Sequence, residues 1–391
     1  MSKLALLVLL LPLCLGFNLS PSPSVIIKKP ELTTFLPQTR SSYFGYSVNL
    51  RRSSVIIGAP RAQTTLATQR KVNETGAVYK CNFDGDQPCH PYHFDLDGNT
   101  RVENTESDYN SEKKDFQMLG AAMDGHESES DRFVVCAPKL KADLEDADHY
   151  LLHGTCYWVG ATDSIQPSGV RQINPLRQRK LQTLAGEDAG LFHYNYIYGE
   201  SGFSVHVTDN EEEIIIGCPG IYNWRGSIIR YRQREMPNLG GLSRRDLSFN
   251  HVIKKRQLFE YRSEIPNPFF APLLDDSYFG YAVSSANFLG PTVPRIYYVA
   301  SAPQANKQSG EVFIFDIEDF KFNNVIKIFN KFSSTQMGEY FGYAILTDDF
   351  NNDGFPDLAV SAPLYSKSGL TENGAVYIFI NEGNVRKFWL N

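Results

Sequence analysis

Asp349, Asn351, Asp353 and Asp357 stand at positions 1, 3, 5 and 9 of the run Asp349-Phe350-Asn351-Asn352-Asp353-Gly354-Phe355-Pro356-Asp357. Each carries a carboxylate or amide oxygen. Gly354 at position 6 permits a sharp turn, and the main-chain carbonyl of Phe355 at position 7 can face inward. Oxygen donors at this spacing are what Ca²⁺, a hard cation, takes as ligands. Three carboxylates crowded together without a cation repel one another. An EF-hand would run on to a Glu at position 12 and be flanked by helices. Here position 12 is Val360, and the flanks Phe341 to Leu346 and Leu358 to Ser361 read as strands. The chemistry is therefore a Ca²⁺ loop that clips one strand to the next, with a structural role.

The strands that hold it belong to a repeat. One copy has an aromatic-glycine strand, Tyr43-Phe44-Gly45-Tyr46-Ser47-Val48. An apolar run closed by a small residue and proline follows, Val55-Ile56-Ile57-Gly58-Ala59-Pro60, then a glycine-led strand, Gly76-Ala77-Val78-Tyr79. The order recurs from Leu119, Gly202, Tyr278 and Tyr340, five copies in all, over roughly 36–100, 110–175, 190–262, 270–330 and 333–391. Alternating aromatic and small residues predict strands with one packed face. Proline after the second strand ends the ladder, having no N–H to donate. A fourth, weaker strand is expected in each linker, for example Val252 to Tyr261 or Val325 to Phe329. Four-stranded sheets repeated radially make an all-β fold, a β-propeller of about five blades. Between the copies, Asp95 to Lys114, Asp143 to His149 and Arg171 to Lys180 read as solvated polar loops.

The equivalent turn in the fourth copy, Ala286-Asn287-Phe288-Leu289-Gly290-Pro291, lacks the acidic residues and is expected to bind no Ca²⁺. Asp95-Leu96-Asp97-Gly98-Asn99 has its glycine two positions early and reads as a plain turn. No Gly-x-Ser-x-Gly elbow, His-Glu-x-x-His pair or phosphate-cradling glycine loop occurs, and the eight histidines are scattered. The reading is non-enzymatic. A net charge of -6 gives no reason to expect nucleic acid or an anionic membrane as partner.

Residues 1–16 read as a signal peptide, with Lys3 before an apolar core from Leu4 to Leu15. That run is too short to span a membrane, and no later run is long and apolar enough. The chain is thus expected in the secretory pathway. In an oxidising compartment the remaining cysteines suggest two local pairs, Cys81–Cys89 and Cys136–Cys156, a connectivity that sequence leaves open. Cys218 is left over and reads as a small buried hydrophobe. Asn18 and Asn73 fit the N-glycosylation acceptor pattern.

The Phe-Gly and Gly-Ala-Pro strings together resemble the FG-GAP repeat of integrin α subunits, with a lean toward the insect-type subunits. The likeness spans nearly all of residues 17–391. Phe17-Asn18-Leu19-Ser20 is similar to the start of a mature integrin α chain, and the two cysteine pairs are similar to the family's disulfides in its first two blades. The resemblance implies seven blades, so the five visible here read as an incomplete propeller: a fragment, a truncated isoform or an incomplete gene product. It implies Ca²⁺ on the bottom face. It also implies a top face near blades two to four that meets an integrin β subunit and an extracellular-matrix or cell-surface protein ligand. On that face it places Tyr222, Trp224 and Asp275, with blade packing as the alternative role of the two aromatics. Asn223 stands where family members that bind Arg-Gly-Asp usually carry an aromatic, and no second acidic partner stands out in Gly186 to Glu200, so that specificity is left open. The implied function is a cell-adhesion receptor head at the cell surface. Rival readings are a secreted, truncated decoy and the FG-GAP propeller of a glycosylphosphatidylinositol phospholipase D; the latter lacks room for its catalytic domain ahead of the first repeat.

Overall fold

The computed structural model describes residues 25–391 apart from 84–88, 102–107, 144–149, 161–165, 168, 179–182, 186–191, 236–258, 269–272, 321–322, 368–370, 372 and 391. The signal-peptide segment and Asn18 lie outside the described residues. Five antiparallel four-stranded sheets succeed one another along the chain. The first blade holds β1 (Ser47–Leu50), β2 (Ser54–Ala59), β3 (Ala77–Asn82) and β4 (Cys89–Pro91). The second holds β5 (Ala122–Gly125), β6 (Phe133–Ala137), β9 (Thr155–Val159) and β10 (Arg171–Ile173), with a small hairpin of β7 (Ala142–Asp143) and β8 (Tyr150–Leu151) between. A further hairpin, β11 (Thr183–Ala185) and β12 (Phe192–Tyr194), leads to the third blade: β13 (Ser204–Val207), β14 (Glu213–Cys218), β15 (Ser227–Glu235) and β16 (Phe259–Glu264). The fourth holds β17 (Val283–Ala286), β18 (Tyr297–Ala302), β19 (Glu311–Phe320) and β20 (Asn323–Ser333), and the fifth β21 (Ile345–Asp348), β22 (Asp357–Ala362), β23 (Ala375–Asn384) and β24 (Lys387–Leu390).

The apolar runs form the second strand of each blade, and each ends on the residue before its proline. These strands are buried on both faces; β2 and β6 are buried throughout, which is why they read as unbroken apolar runs rather than alternating ones. The expected fourth strands exist: β16 (Phe259–Glu264) takes in Tyr261 and runs past it, residues 252–258 of the expected strand lying outside the described residues, and β20 extends beyond Val325 to Phe329 on both sides. The first strands of successive blades lie side by side and together line a central channel, to which Ser47, Ala122, Ser204, Ala282 and Ala344 contribute. Blades disposed in this way around one axis are a β-propeller.

The aromatic-glycine stretches become strand only in their last one or two residues. They open as turns, and the first strand starts only at Ser47 in the first blade and Ile345 in the fifth. The residue two before each glycine takes a positive φ, as at Tyr43 (56°), Tyr278 (58°) and Tyr340 (63°). Period-two alternation suggested a strand, but a left-handed residue followed by a left-handed glycine breaks any ladder. The turn serves the joint between blades. Gly226 has φ 85°, and a Cβ there would lie 2.1 Å from the carbonyl oxygen of Phe279 in the next blade. The Phe279 ring, 1% exposed, then packs 5.8 Å from Phe313 and 5.5 Å from Phe315. Burying one such ring is worth about 1.5–3 kcal/mol. In the third blade Ser201 takes the aromatic position, and the Cys136–Cys156 disulfide sits against Gly202 there.

Two of the loops read as solvated carry structure instead. Lys114 is 1% exposed; its Nζ lies 2.7 Å from Asp95 and 3.3 Å from Glu112, and Tyr157 donates its hydroxyl to Asp95 at 2.8 Å. Arg171–Ile173 is a strand, β10, paired with β9. Local composition misled because these polar residues pair with one another across the loop and with the neighbouring strand rather than with water. Polar links also tie blades together: Arg51, 2% exposed, donates to the carbonyls of His126, Ser128 and Arg132 in the second blade.

Candidate functional site

The loop 349–357 joins β21 to β22, with Asp348 opposite Asp357 across the ladder. Asp349 accepts hydrogen bonds from the N–H groups of Asp353 (3.0 Å) and Gly354 (2.7 Å), and Asp353 accepts from Phe355 N–H (2.9 Å). Asn351 donates to Asp353 at 2.8 Å. Asp357 is fully buried and accepts from the N–H groups of Phe350 (3.0 Å) and Asn381 (2.8 Å). The left-handed backbone at Asn352 (φ 59°) and Gly354 (φ 88°) bends the loop so that these N–H groups face the carboxylates. The five predicted ligands thus share one loop. Yet among the described residues no three His, Cys, Asp or Glu side chains gather closely enough to hold a metal ion. No lysine or arginine among the described residues forms an ion pair with Asp349, Asp353 or Asp357. An oxygen-only donor set with a buried carboxylate and no cationic side chain suits a hard divalent cation.

Asn381, which sequence reasoning missed, anchors this loop. It is 1% exposed and donates to the carbonyls of Pro356 (3.0 Å) and Phe288 (2.8 Å). Phe288 belongs to the acid-free turn of the fourth blade, where Asn287 donates instead to Gly290 O at 2.7 Å. The Phe355 ring packs against Gly290 of that turn.

Tyr222, Trp224 and Asp275 are brought together at the joint of the third and fourth blades. Tyr222, Asn223 and Trp224 have φ of 52°, 56° and 56°, three consecutive left-handed residues. Such backbone costs of order 1–3 kcal/mol per residue and persists only where surroundings hold it. Here the N–H groups of Asp276, Tyr278 and Phe279 bond to the carbonyls of Asn223, Trp224 and Arg225. Asn306, Lys307 and Gln308 repeat the conformation in the fourth blade, at the same distance after the second strand. Trp224, 36% exposed, stacks on Tyr198 at 5.2 Å. Tyr222 instead turns toward Tyr196, ring centroids 5.3 Å apart. Asp275 accepts from Arg225 Nη2 at 2.7 Å and Nε at 3.2 Å, so this chain's own arginine already engages that carboxylate. Beside the channel mouth, Phe203 lies 4.8 Å from Tyr281, which lies 5.7 Å from Tyr343.

Sequence reasoning also missed a polar belt near the axis. Asp124 on β5, His206 on β13 and Ser285 on β17 form a line: His206 Nδ1 is 3.2 Å from Asp124 and Nε2 is 2.9 Å from Ser285 Oγ. Burial raises the Asp124 carboxyl, but His206 and the N–H groups of Val207 and Gly125 outweigh it and hold it below the usual range. The order matches a nucleophile–base–acid relay. Ser285, however, is 1% exposed, so no substrate carbonyl reaches its Oγ. The line bridges three blades; the signal for it was a polar residue four or five places after each Phe-Gly glycine. Both suggested disulfides are formed, and Cys218 is buried, which pushes its thiol up to about 12. Asn73 is exposed.

The FG-GAP repeat family matches residues 341–379, which include the loop 349–357. The chain is 44% identical to integrin alpha-PS3 of Drosophila melanogaster over 376 residues, covering 94% of this chain and 33% of that protein. It is 33% identical to integrin alpha-PS5 of the same fly, covering 94% of this chain and 32% of the relative. To integrin alpha-8 of Mus musculus it is 29% identical, covering 94% and 31%. It spans about a third of the length of these relatives.

Proposed function

The chain carries an FG-GAP repeat and is similar along nearly its whole length to integrin α subunits; on that premise we propose that it forms the propeller head of an adhesion-receptor α subunit. In this reading it pairs with an integrin β subunit, and the pair binds an extracellular-matrix or cell-surface protein and signals from the cell surface. The observation that carries the reading is the clustering of aromatic turns around the channel mouth. Tyr46 and Tyr343 are 58% and 51% exposed there, and backbone hydrogen bonds tie the strained Tyr222 to Trp224 loop to the turn at Tyr278. Large rigid rings that stay exposed on a soluble propeller mark a contact surface. Asp275, held by Arg225, is a poor partner for a ligand arginine, which supports a ligand read without that carboxylate.

Ca²⁺ is proposed to bind the loop 349–357 through Asp349, Asn351, Asp353, the Phe355 carbonyl and Asp357. The ion would add a positive charge where three carboxylates and no side-chain cation meet, and its role would be structural. Asn73 is proposed as a glycosylation acceptor. The test is co-expression of the chain with a soluble integrin β ectodomain. A one-to-one secreted complex is expected. Secretion of a folded chain that never associates with the β ectodomain would count against the reading and favour a free, decoy-like product.

A further inference from the structure

A cavity of about 870 Å³ opens between the second and third blades and is separate from the aromatic channel mouth. Its size falls within that of small-ligand clefts, about 300–1,000 Å³. Such clefts are mostly apolar, whereas this one is lined largely by tyrosine, asparagine, glutamine and arginine residues. Tyr231 and Tyr261 stand nearly parallel, ring centroids 5.4 Å apart at 12°, and Trp158 donates to the Tyr231 hydroxyl at 3.3 Å. On the other side Tyr196 and Tyr222 meet at their hydroxyls, 3.3 Å apart. The rings are therefore held in place before any ligand arrives, which reduces the ordering cost of binding.

Charge singles the cavity out. Arg177 and Arg262 line it, and among the described residues neither forms an ion pair. Arg171, just outside, lies over the rings of Tyr261 (4.8 Å) and Trp158 (5.6 Å) and likewise forms no ion pair among the described residues. The neighbouring joint differs: Arg230, Arg232 and Arg295 each reach a Glu or Asp. Among the described residues, Asp108 is the carboxylate on the cavity wall. Asn174 lines the cavity, and its amide nitrogen lies 3.1 Å from His153 Nε2. Burial lowers His153 to about 4, so it stays neutral at physiological pH and its Nε2 accepts from Asn174. That leaves Asn174 Oδ1 as a buried acceptor with no protein donor.

We propose that this cavity binds a short acidic oligosaccharide, its sulfate or carboxylate groups on Arg177 and Arg262 and its sugar faces on the tyrosine rings. A guanidinium pairs two-pronged with sulfate-like and carboxylate oxygens, and tyrosine offers a flat apolar face with a polar tip. The many hydroxyl and amide groups favour a saccharide over an acidic peptide. The proposal does not depend on pairing with a β subunit.

The test is titration calorimetry on the purified chain with a heparin-derived sulfated tetrasaccharide, its desulfated counterpart and a tetraglutamate peptide. The sulfated sugar is expected to bind, with affinity falling as NaCl rises. Arg177→Gln with Arg262→Gln should weaken it at least tenfold, while Lys327→Gln on the fourth blade leaves it unchanged. Absence of binding, or equal affinity for the double variant, overturns the proposal. Equal affinity for the desulfated sugar overturns the charge assignment, and equally tight tetraglutamate overturns the saccharide class. Should the double variant misfold, hydrogen exchange on the unaltered chain decides. Protection by the sulfated sugar within 172–178 and 261–265 supports the site, and protection confined elsewhere rejects it.

Discussion

Arg230→Met probes the joint between the third and fourth blades. The Arg230 guanidinium is 3% exposed; its Nε donates to Glu264 at 2.7 Å, and Glu264 is itself 2% exposed. Arg230 also donates to the Tyr298 hydroxyl at 3.2 Å, and that hydroxyl donates to Glu213. Removing the guanidinium leaves a buried carboxylate that keeps Arg232, partly exposed, as an ion-pair partner at 3.2 Å. Breaking a buried pair costs about 3–5 kcal/mol. Because Arg232 still reaches Glu264, the low end, about 3 kcal/mol, is expected. With a urea m-value of about 3 kcal/mol/M, the unfolding midpoint should fall by about 1 M. Lys327→Met is the control. Lys327 and Glu318 are as close, 2.6 Å, but 48% and 46% exposed. Solvent screening holds that pair to about 1 kcal/mol or less, a shift of about 0.3 M or less. Equal shifts for the two variants would refute the reasoning that burial, not distance, decides what each pair contributes.

Chelation of Ca²⁺ should loosen the loop 349–357 with β21 and β22 and leave the first three blades largely protected, as hydrogen exchange would show; uniform loss across all five blades would contradict a local clip. Burial lowers His153 to about 4, below its ordinary value of about 6.5. The unfolded chain therefore binds the extra proton first, and stability present above about pH 6.5 falls as pH drops toward 4, by about 3 kcal/mol from this group. Thermal melts of His153→Gln should lack that share of the acid slope, and an unchanged slope would remove His153 from the account. Arg51→Ala strips hydrogen bonds from three carbonyls of the second blade, at about 1.5–3 kcal/mol for bonds to a charged group. Exchange should rise first at 126–132, and a stability loss without that local change would argue against the clamp.

What could be read from the sequence was what recurs locally. Proline after each second strand, the glycine that leads each third strand and the acidic loop after β21 are all short-range patterns. Each found its place in the blades. The aromatic-glycine stretch was misread because its alternation mimics a strand, while its left-handed residues are visible only in the backbone. Lys114, Asn381 and the Asp124–His206–Ser285 line were hidden for a different reason. Lys114 closes onto Asp95 only when its own loop folds back, whereas Asn381 and His206 meet partners 93 and 79 residues away that only closing the blades around an axis brings together. Asp275 reads in the sequence as a partner-facing carboxylate, but Arg225, fifty residues earlier, engages it.

The central claim is that the aromatic turns at the channel mouth form the face that meets a β subunit. Hydrogen exchange of this chain alone and in complex with a soluble integrin β ectodomain tests it most directly. Protection concentrated at residues 43–46, 222–225, 278–281 and 340–343, with the loop 349–357 unaffected, is the predicted result. Protection on the blade rims or around 349–357, with the aromatic turns still exchanging freely, would contradict it.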